Sequence, residues 1–155
     1  MKKNLLLGVV FLFCFLSACF SENSPTSKLT TDTWSTNIED YAEKIAFFKQ
    51  YVTCPTDVLD VEYHIEFHNN SGIPPGPSDW KVSAAIQVEK SDIAAWTADM
   101  TAVTEETIDT AWWRGLDIQE WALTDAPVYY KRAEEQSYLA VYEEQGILLK
   151  YFYAN

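Results

Sequence analysis

Glycine and proline are scarce, five and six in 155 residues, and no segment repeats. That excludes a collagen-like or low-complexity chain. Bases are scarce as well: 11 Lys and Arg stand against 23 Asp and Glu, for a formal charge of −12. A surface so poor in cations is unsuited to sequence-independent binding of phosphate backbones, so no nucleic-acid partner is expected. With two histidines, His64 and His68, and three cysteines, a site built from several imidazoles or thiolates has little material. No apolar run reaches the roughly 20 residues of a membrane-spanning helix. What the chain does contain is apolar and aromatic side chains, 48% and 15% of it. That is enough for one domain with its own core.

The first residues read as an address. Lys2 and Lys3 precede a twelve-residue apolar run from Leu5 to Leu16, the charged and apolar regions of a secretory signal. The run ends in Leu16-Ser17-Ala18-Cys19, which resembles the lipobox of bacterial lipoproteins. That resemblance implies cleavage before Cys19, with diacylglycerol on its thiol and commonly an acyl chain on the new amino terminus. Two or more acyl chains anchor stably, each buried methylene contributing about 0.8 kcal/mol. Phe20 is not the aspartate that retains such proteins in the inner membrane, so the periplasmic face of the outer membrane is favoured. Removing residues 1–18 takes Lys2 and Lys3 and no acid, leaving 9 bases against 23 acids, a side-chain charge of −14. Cys14 leaves too, and Cys54 becomes the one free thiol. It is expected as a small buried apolar residue rather than a nucleophile.

Residues 19–33, rich in Ser and Thr, read as a tether, with a single globular domain over 34–155. Thr36-x-x-Glu39 is a capping box, and Ile38, Tyr41, Ile45, Phe48 and Val52 follow at helical spacing. They predict a helix from about Asn37 to Tyr51. The period then changes to two: Leu59, Val61, Tyr63, Ile65 and Phe67 alternate with Asp60, Glu62, His64, Glu66 and His68, a half-buried strand. Beyond the Pro-rich loop Gly72–Pro77, a second alternating strand runs from Trp80 to Val88. For the apolar sets to share a face, Phe67 should pair with Trp80, which sets Glu66 opposite Lys81. A short helix is expected from Ser91 to Ala98, a start or turn at Thr104-Glu105-Glu106, and a short helix over Leu116–Leu123. Strands at Val128–Arg132, Ser137–Tyr142 and Ile147–Tyr153 close the chain, the last two joined by a turn at Glu143–Gly146. The fold class is α+β, an antiparallel sheet of about five strands with an N-terminal helix packed on one face.

His64-x-Glu66-x-His68 puts three ligand types on one strand face, but the two imidazoles would lie about 13–14 Å apart. That is too far to clamp one ion, so neither a metal nor another cofactor is expected. No nucleophile, metal or phosphate motif stands out, and the chain reads as non-catalytic. The segment Ser91–Asp125 carries eight acids against Arg114 alone, with Trp96, Trp112, Trp113 and Trp121 among them. Tryptophans are enriched at binding hot spots, and clustered acids steer basic partners. Trp112, Trp113 and Trp121 with Glu105, Glu106 and Asp109 are therefore the candidate partner-binding residues. In format only, a small acidic envelope lipoprotein is similar to lysozyme inhibitors and to immunity proteins, whose targets are often basic. The leading expectation is a membrane-anchored protein-binding module with a basic partner. Alternatives are a glycan or small-ligand binder that uses exposed tryptophans, and a structural component of an envelope assembly.

Metabolic labelling with a radioactive fatty acid checks the anchor. The native protein should take up label and a Cys19→Ala protein should not.

Overall fold

The computed structural model describes residues 30–71, 76–104, 110–133 and 136–154. Their elements are β1 (Thr31–Trp34), α1 (Tyr41–Tyr51), β2 (Asp60–His68), β3 (Asp79–Gln87), α2 (Ile93–Thr97), β4 (Thr101–Val103), β5 (Val128–Lys131), β6 (Gln136–Tyr142) and β7 (Ile147–Ala154). All pairings are antiparallel, in the order β1-β2-β3-β7-β6-β5-β4. The lipobox with Cys19, and the acids Glu105, Glu106 and Asp109, lie outside the described residues.

The β2–β3 hairpin has the register its alternation demands. Phe67 faces Trp80 and Glu66 faces Lys81, and Lys81 Nζ lies 2.7 Å from Glu66 Oε2. At its neck Gly76 N–H donates to Asn70 O at 2.8 Å, and Asn70 Nδ2 donates to Pro77 O at 2.6 Å. The turn before β7 needs a left-handed residue, and Gly146 supplies it with φ 68°. A Cβ there would stand 2.5 Å from Val88 O.

Four expectations are corrected. The sheet has seven strands rather than about five, because short strands β1 and β4 extend its two ends. Strands of four and three residues show too little alternation to reveal themselves; their partners specify them. In consequence the tether does not run to Thr33: Thr31–Thr33 already pair with β2. The helix does not begin near Asn37. Ser35–Asn37 is a 3-10 turn, and Asp40 caps α1 by accepting the Glu43 N–H at 2.8 Å. The reason is Ser35, whose Oγ donates to Glu62 at 2.5 Å and accepts from Tyr63 N–H at 2.9 Å, binding the chain to β2 before any helix can start. Finally, Leu116–Leu123 is a series of turns, with Ile118 N–H on Leu116 O and Trp121 N–H on Ile118 O. Its apolar residues fall at steps of two and three, which suit a loop pressed on a surface and not a helix.

The sheet carries apolar cover on both faces. On one, Phe48 of α1 and Trp96 of α2 join Val61, Tyr63, Val82 and Leu148. Phe48 stacks on Tyr63 at 5.5 Å and Tyr51 meets Phe67 at 5.7 Å. Each large side chain so buried contributes roughly 1.5–3 kcal/mol. On the other face Leu116, Trp112 and Trp121 lie over Ala85, Ala140 and Leu149. Lys44 ties α1 to the β2 edge, its Nζ 2.6 Å from Glu62 and 3.4 Å from Asp60. Burial opposes that ammonium, but the Glu62 hydrogen bond and the two carboxylate charges outweigh it, and its pKa is raised.

Phe48 is 0% exposed and Tyr41, on the first turn of the same helix, is 49% exposed. Urea denaturation should show Phe48→Ala losing about 3–5 kcal/mol and Tyr41→Ala about 0.5 kcal/mol or less.

Candidate functional site

Antiparallel pairing sorts side chains into rows that cross the sheet, all members of a row on one face. One such row runs Trp34, His64, Ser83, Tyr151, Tyr138, from β1 through β2, β3 and β7 to β6. At about 4.8 Å per strand it spans roughly 19 Å. Trp34 lies flat on His64, ring centroids 3.9 Å apart and planes 8° off parallel. Tyr138 and Tyr151 stack at 6.2 Å. Between these pairs sits Ser83, the smallest member, and the dip it leaves is the floor of a groove of about 690 Å³. That volume is in the range of small-ligand sites.

The loop before β5 walls the groove. Trp112 stands 5.6 Å from Tyr151 and meets Trp113 edge to face at 4.7 Å. A Cβ at Gly115 would be 3.2 Å from Cη2 of Trp34, so the loop closes on Trp34 where only glycine fits without displacement. Ser83 is 4% exposed, yet its hydroxyl lines the groove and makes no hydrogen bond among the described residues. Trp112 Nε1 is likewise buried with no partner among them.

The next row, Asp32, Glu66, Lys81, Tyr153, Gln136, carries the charge. Two close contacts hold its acids. His64 Nε2 meets Asp32 at 2.7 Å, and Lys81 meets Glu66 at 2.7 Å. The Glu66 hydrogen bond raises the Lys81 pKa more than burial lowers it, and burial pushes the Tyr151 phenol up. Asp32, His64 and Glu66 bring ligand atoms within 4.8 Å of one another, a grouping that the strand spacing of His64 and His68 did not suggest. They do not converge on one point, however. Asp32 addresses Nε2 of the ring while Glu66 lies 4.0 Å from Nδ1 and is held by Lys81. The arrangement braces His64 beneath Trp34.

Of the sequence-predicted residues, the fold gathers Trp112, Trp113 and Trp121 on one face, each half-buried in its apolar cluster. They cover the sheet rather than stand clear of it, and of the three only Trp112 lines the groove. Trp34, His64, Ser83, Tyr138 and Tyr151 were missed. The pairing of His64 with Ser83 follows from the hairpin register alone; the other members depend on strand neighbours that pattern does not reveal. Comparison with family models, with curated proteins and with solved structures returns no match. No helix of the described residues is long and apolar enough to cross a membrane.

Cys54 is half-buried, its sulfur 3.5 Å from Val52 O. Burial pushes the thiol up, against the opposing charges of Lys49 and Lys150. Deprotonation is thus displaced to higher pH, and a thiolate nucleophile is disfavoured at neutrality. In iodoacetamide alkylation followed against pH, Cys54 should reach its half-maximal rate at a higher pH than a cysteine in a short unstructured peptide.

Proposed function

We propose that this protein is a non-catalytic binding module, held by lipid on Cys19 at the periplasmic face of the outer membrane, whose Trp34–Trp112 groove takes a saccharide. The observation that carries this reading is the row of rings interrupted by one small hydroxyl residue at the floor of the groove. A pyranose has an apolar C–H face that packs on Trp and Tyr rings, and hydroxyls at its rim that require partners. Ser83, Gln136 and the tyrosine phenols supply them. Lys81, the one Lys or Arg among the residues described as lining the groove, is paired with Glu66, which suits a ligand without negative charge. Asp32 and Glu66, the acids closest to the floor, are held by His64 and Lys81, an arrangement for holding a sugar rather than for delivering the two working carboxylates of a glycosidase. Glycans of the cell wall are within reach of a domain anchored there.

The charge of −14 supports a second reading, a basic protein partner steered by long-range attraction. Its acidic residues would be Glu105, Glu106 and Asp109. The inward packing of Trp112 and Trp113 favours the groove.

The two readings part on salt. Titration with cell-wall oligosaccharides, followed by tryptophan fluorescence, should saturate with an affinity that barely changes across a salt series. Trp34→Ala should weaken binding about tenfold, and Ser83→Leu, which fills the floor, should abolish it. A failure to saturate, together with capture of a basic protein that salt releases, would replace the saccharide with the protein partner.

A further inference from the structure

Hollows lie on both faces of the sheet. Under the helices, a cavity of about 410 Å³ sits beneath α2 and the chain that leaves α1, floored by Val82, Phe152 and Ser137. Its two bases, Lys150 and Arg132, are already engaged with partners of their own. On the other face, the shape of the saccharide groove dictates how a ligand enters.

Trp34 and His64 overlap face to face. Their centroids, 3.9 Å apart, are barely beyond the roughly 3.5 Å at which carbon surfaces touch, so the ring planes stand across the row rather than along it. Trp34 therefore covers one face of the imidazole, and the other face looks over Ser83. From the far side Tyr151, backed by Tyr138, looks over Ser83 as well. Two strand spacings of about 4.8 Å set these walls roughly 9.6 Å apart. A flat ring stacked on each wall as closely as Trp34 on His64 would use twice 3.9 Å and leave the slot unfilled. A puckered pyranose, with axial hydrogens on both faces, keeps about 4.5 Å or more from each wall, within the range of ring-on-ring contacts, and fills it.

The slot is blind at one end. Along β3 the residues flanking Ser83 on this face are Ala85 and Lys81. Ala85 shares a row with Leu149 and Ala140, each 1% exposed or less, and Leu116 packs over them. At the other end the Lys81 side chain is 42% exposed, roughly 6.8 Å along the strand from Ser83. Past it a pocket of about 190 Å³, with Glu66, Asp79 and Tyr153 in its lining, continues on the same face.

We propose that the slot takes the terminal unit of a glycan chain, edge-on between His64 and Tyr151, and that the rest of the chain leaves past Lys81 toward that pocket. The inference rests on the saccharide reading of the groove and deepens it. A unit within a chain carries linkages on two sides, and the slot is open on one. Trp34 acts from behind, as the backing of His64.

The test is sedimentation of the mature chain, made with Cys19→Ser, together with cell-wall glycan strands freed of peptide and amidated at their carboxylates so that they carry no charge. With protein in excess, the number bound per strand should be the same on tetrasaccharides and on long strands. His64→Ala and Tyr151→Ala should each weaken tetrasaccharide binding about tenfold, whereas Tyr151→Phe, which keeps the wall, should stay within about threefold. The count per strand needs no variant, so it decides even if an alanine protein fails to fold. A count that rises with strand length means binding within the chain; it overturns the proposal and leaves the saccharide reading standing, as does unchanged affinity in both alanine variants. Failure of both strands to bind removes the saccharide reading and this inference with it.

Discussion

The register of one strand, β3, sets the positions of nearly everything else. It pairs with β2 on one side and with β7 on the other, nine and eight residues long, and both of its faces are covered. In a sheet exposed on one side, a slip of one residue exchanges core for solvent. Here it would exchange one core for the other, carrying Ser83 and Ala85 under the helices and Val82, Ala84 and Ile86 under the tryptophan loop. Because every row crosses β3, its pairing decides together which side chains floor the groove and which floor the cavity.

The centre of β3 is made of small residues, Ser83, Ala84 and Ala85, each under 5% exposed. Small residues in mid-sheet forgo packing area, so their neighbours must recover it. Ala84 lies between Tyr63 and Lys150, and Ala85 lies beside Leu149, letting large side chains spread over it. Ser83 is different in that its neighbours His64 and Tyr151 do not close over it; they are held apart, one under Trp34 and the other against Tyr138 and Trp112. The groove exists because the aromatic residues on either side are committed to each other.

Long alternating strands were legible from the residues alone. The β2–β3 register, down to the Glu66–Lys81 ion pair, follows from parity once both strands are seen to have one apolar set each. The strands β5 to β7 were located to within a residue by the same kind of pattern. Legibility ended where structure is imposed by a partner. β1 looks like tether because Thr31-Asp32-Thr33 has no alternation of hydrophobicity, and only its neighbour makes it a strand. The start of α1 was misjudged because Ser35 serves Glu62 and Tyr63, residues nearly thirty positions away. The groove draws on five strands and one loop, and no local window contains it. Lys150 did leave a trace, a lone cation within Ile147–Tyr153, but a pattern sought for apolar residues passes over the one that breaks it.

In a chain with twice as many acids as bases, the acids are a poor guide to function and the bases a better one. Carboxylates at such density fall near one another by number alone. Each base, by contrast, has many carboxylates to choose from, so its position carries information. Lys44 holds α1 to the edge of β2 through Glu62 and Asp60, and Lys81 neutralises Glu66 beside the groove. Those two are accounted for by architecture. Lys150 and Arg132 line the cavity under the helices, and each has an interaction partner of its own. The sheet thus separates two environments, an aromatic groove floored by Ser83 on one face and a cavity under the helices on the other.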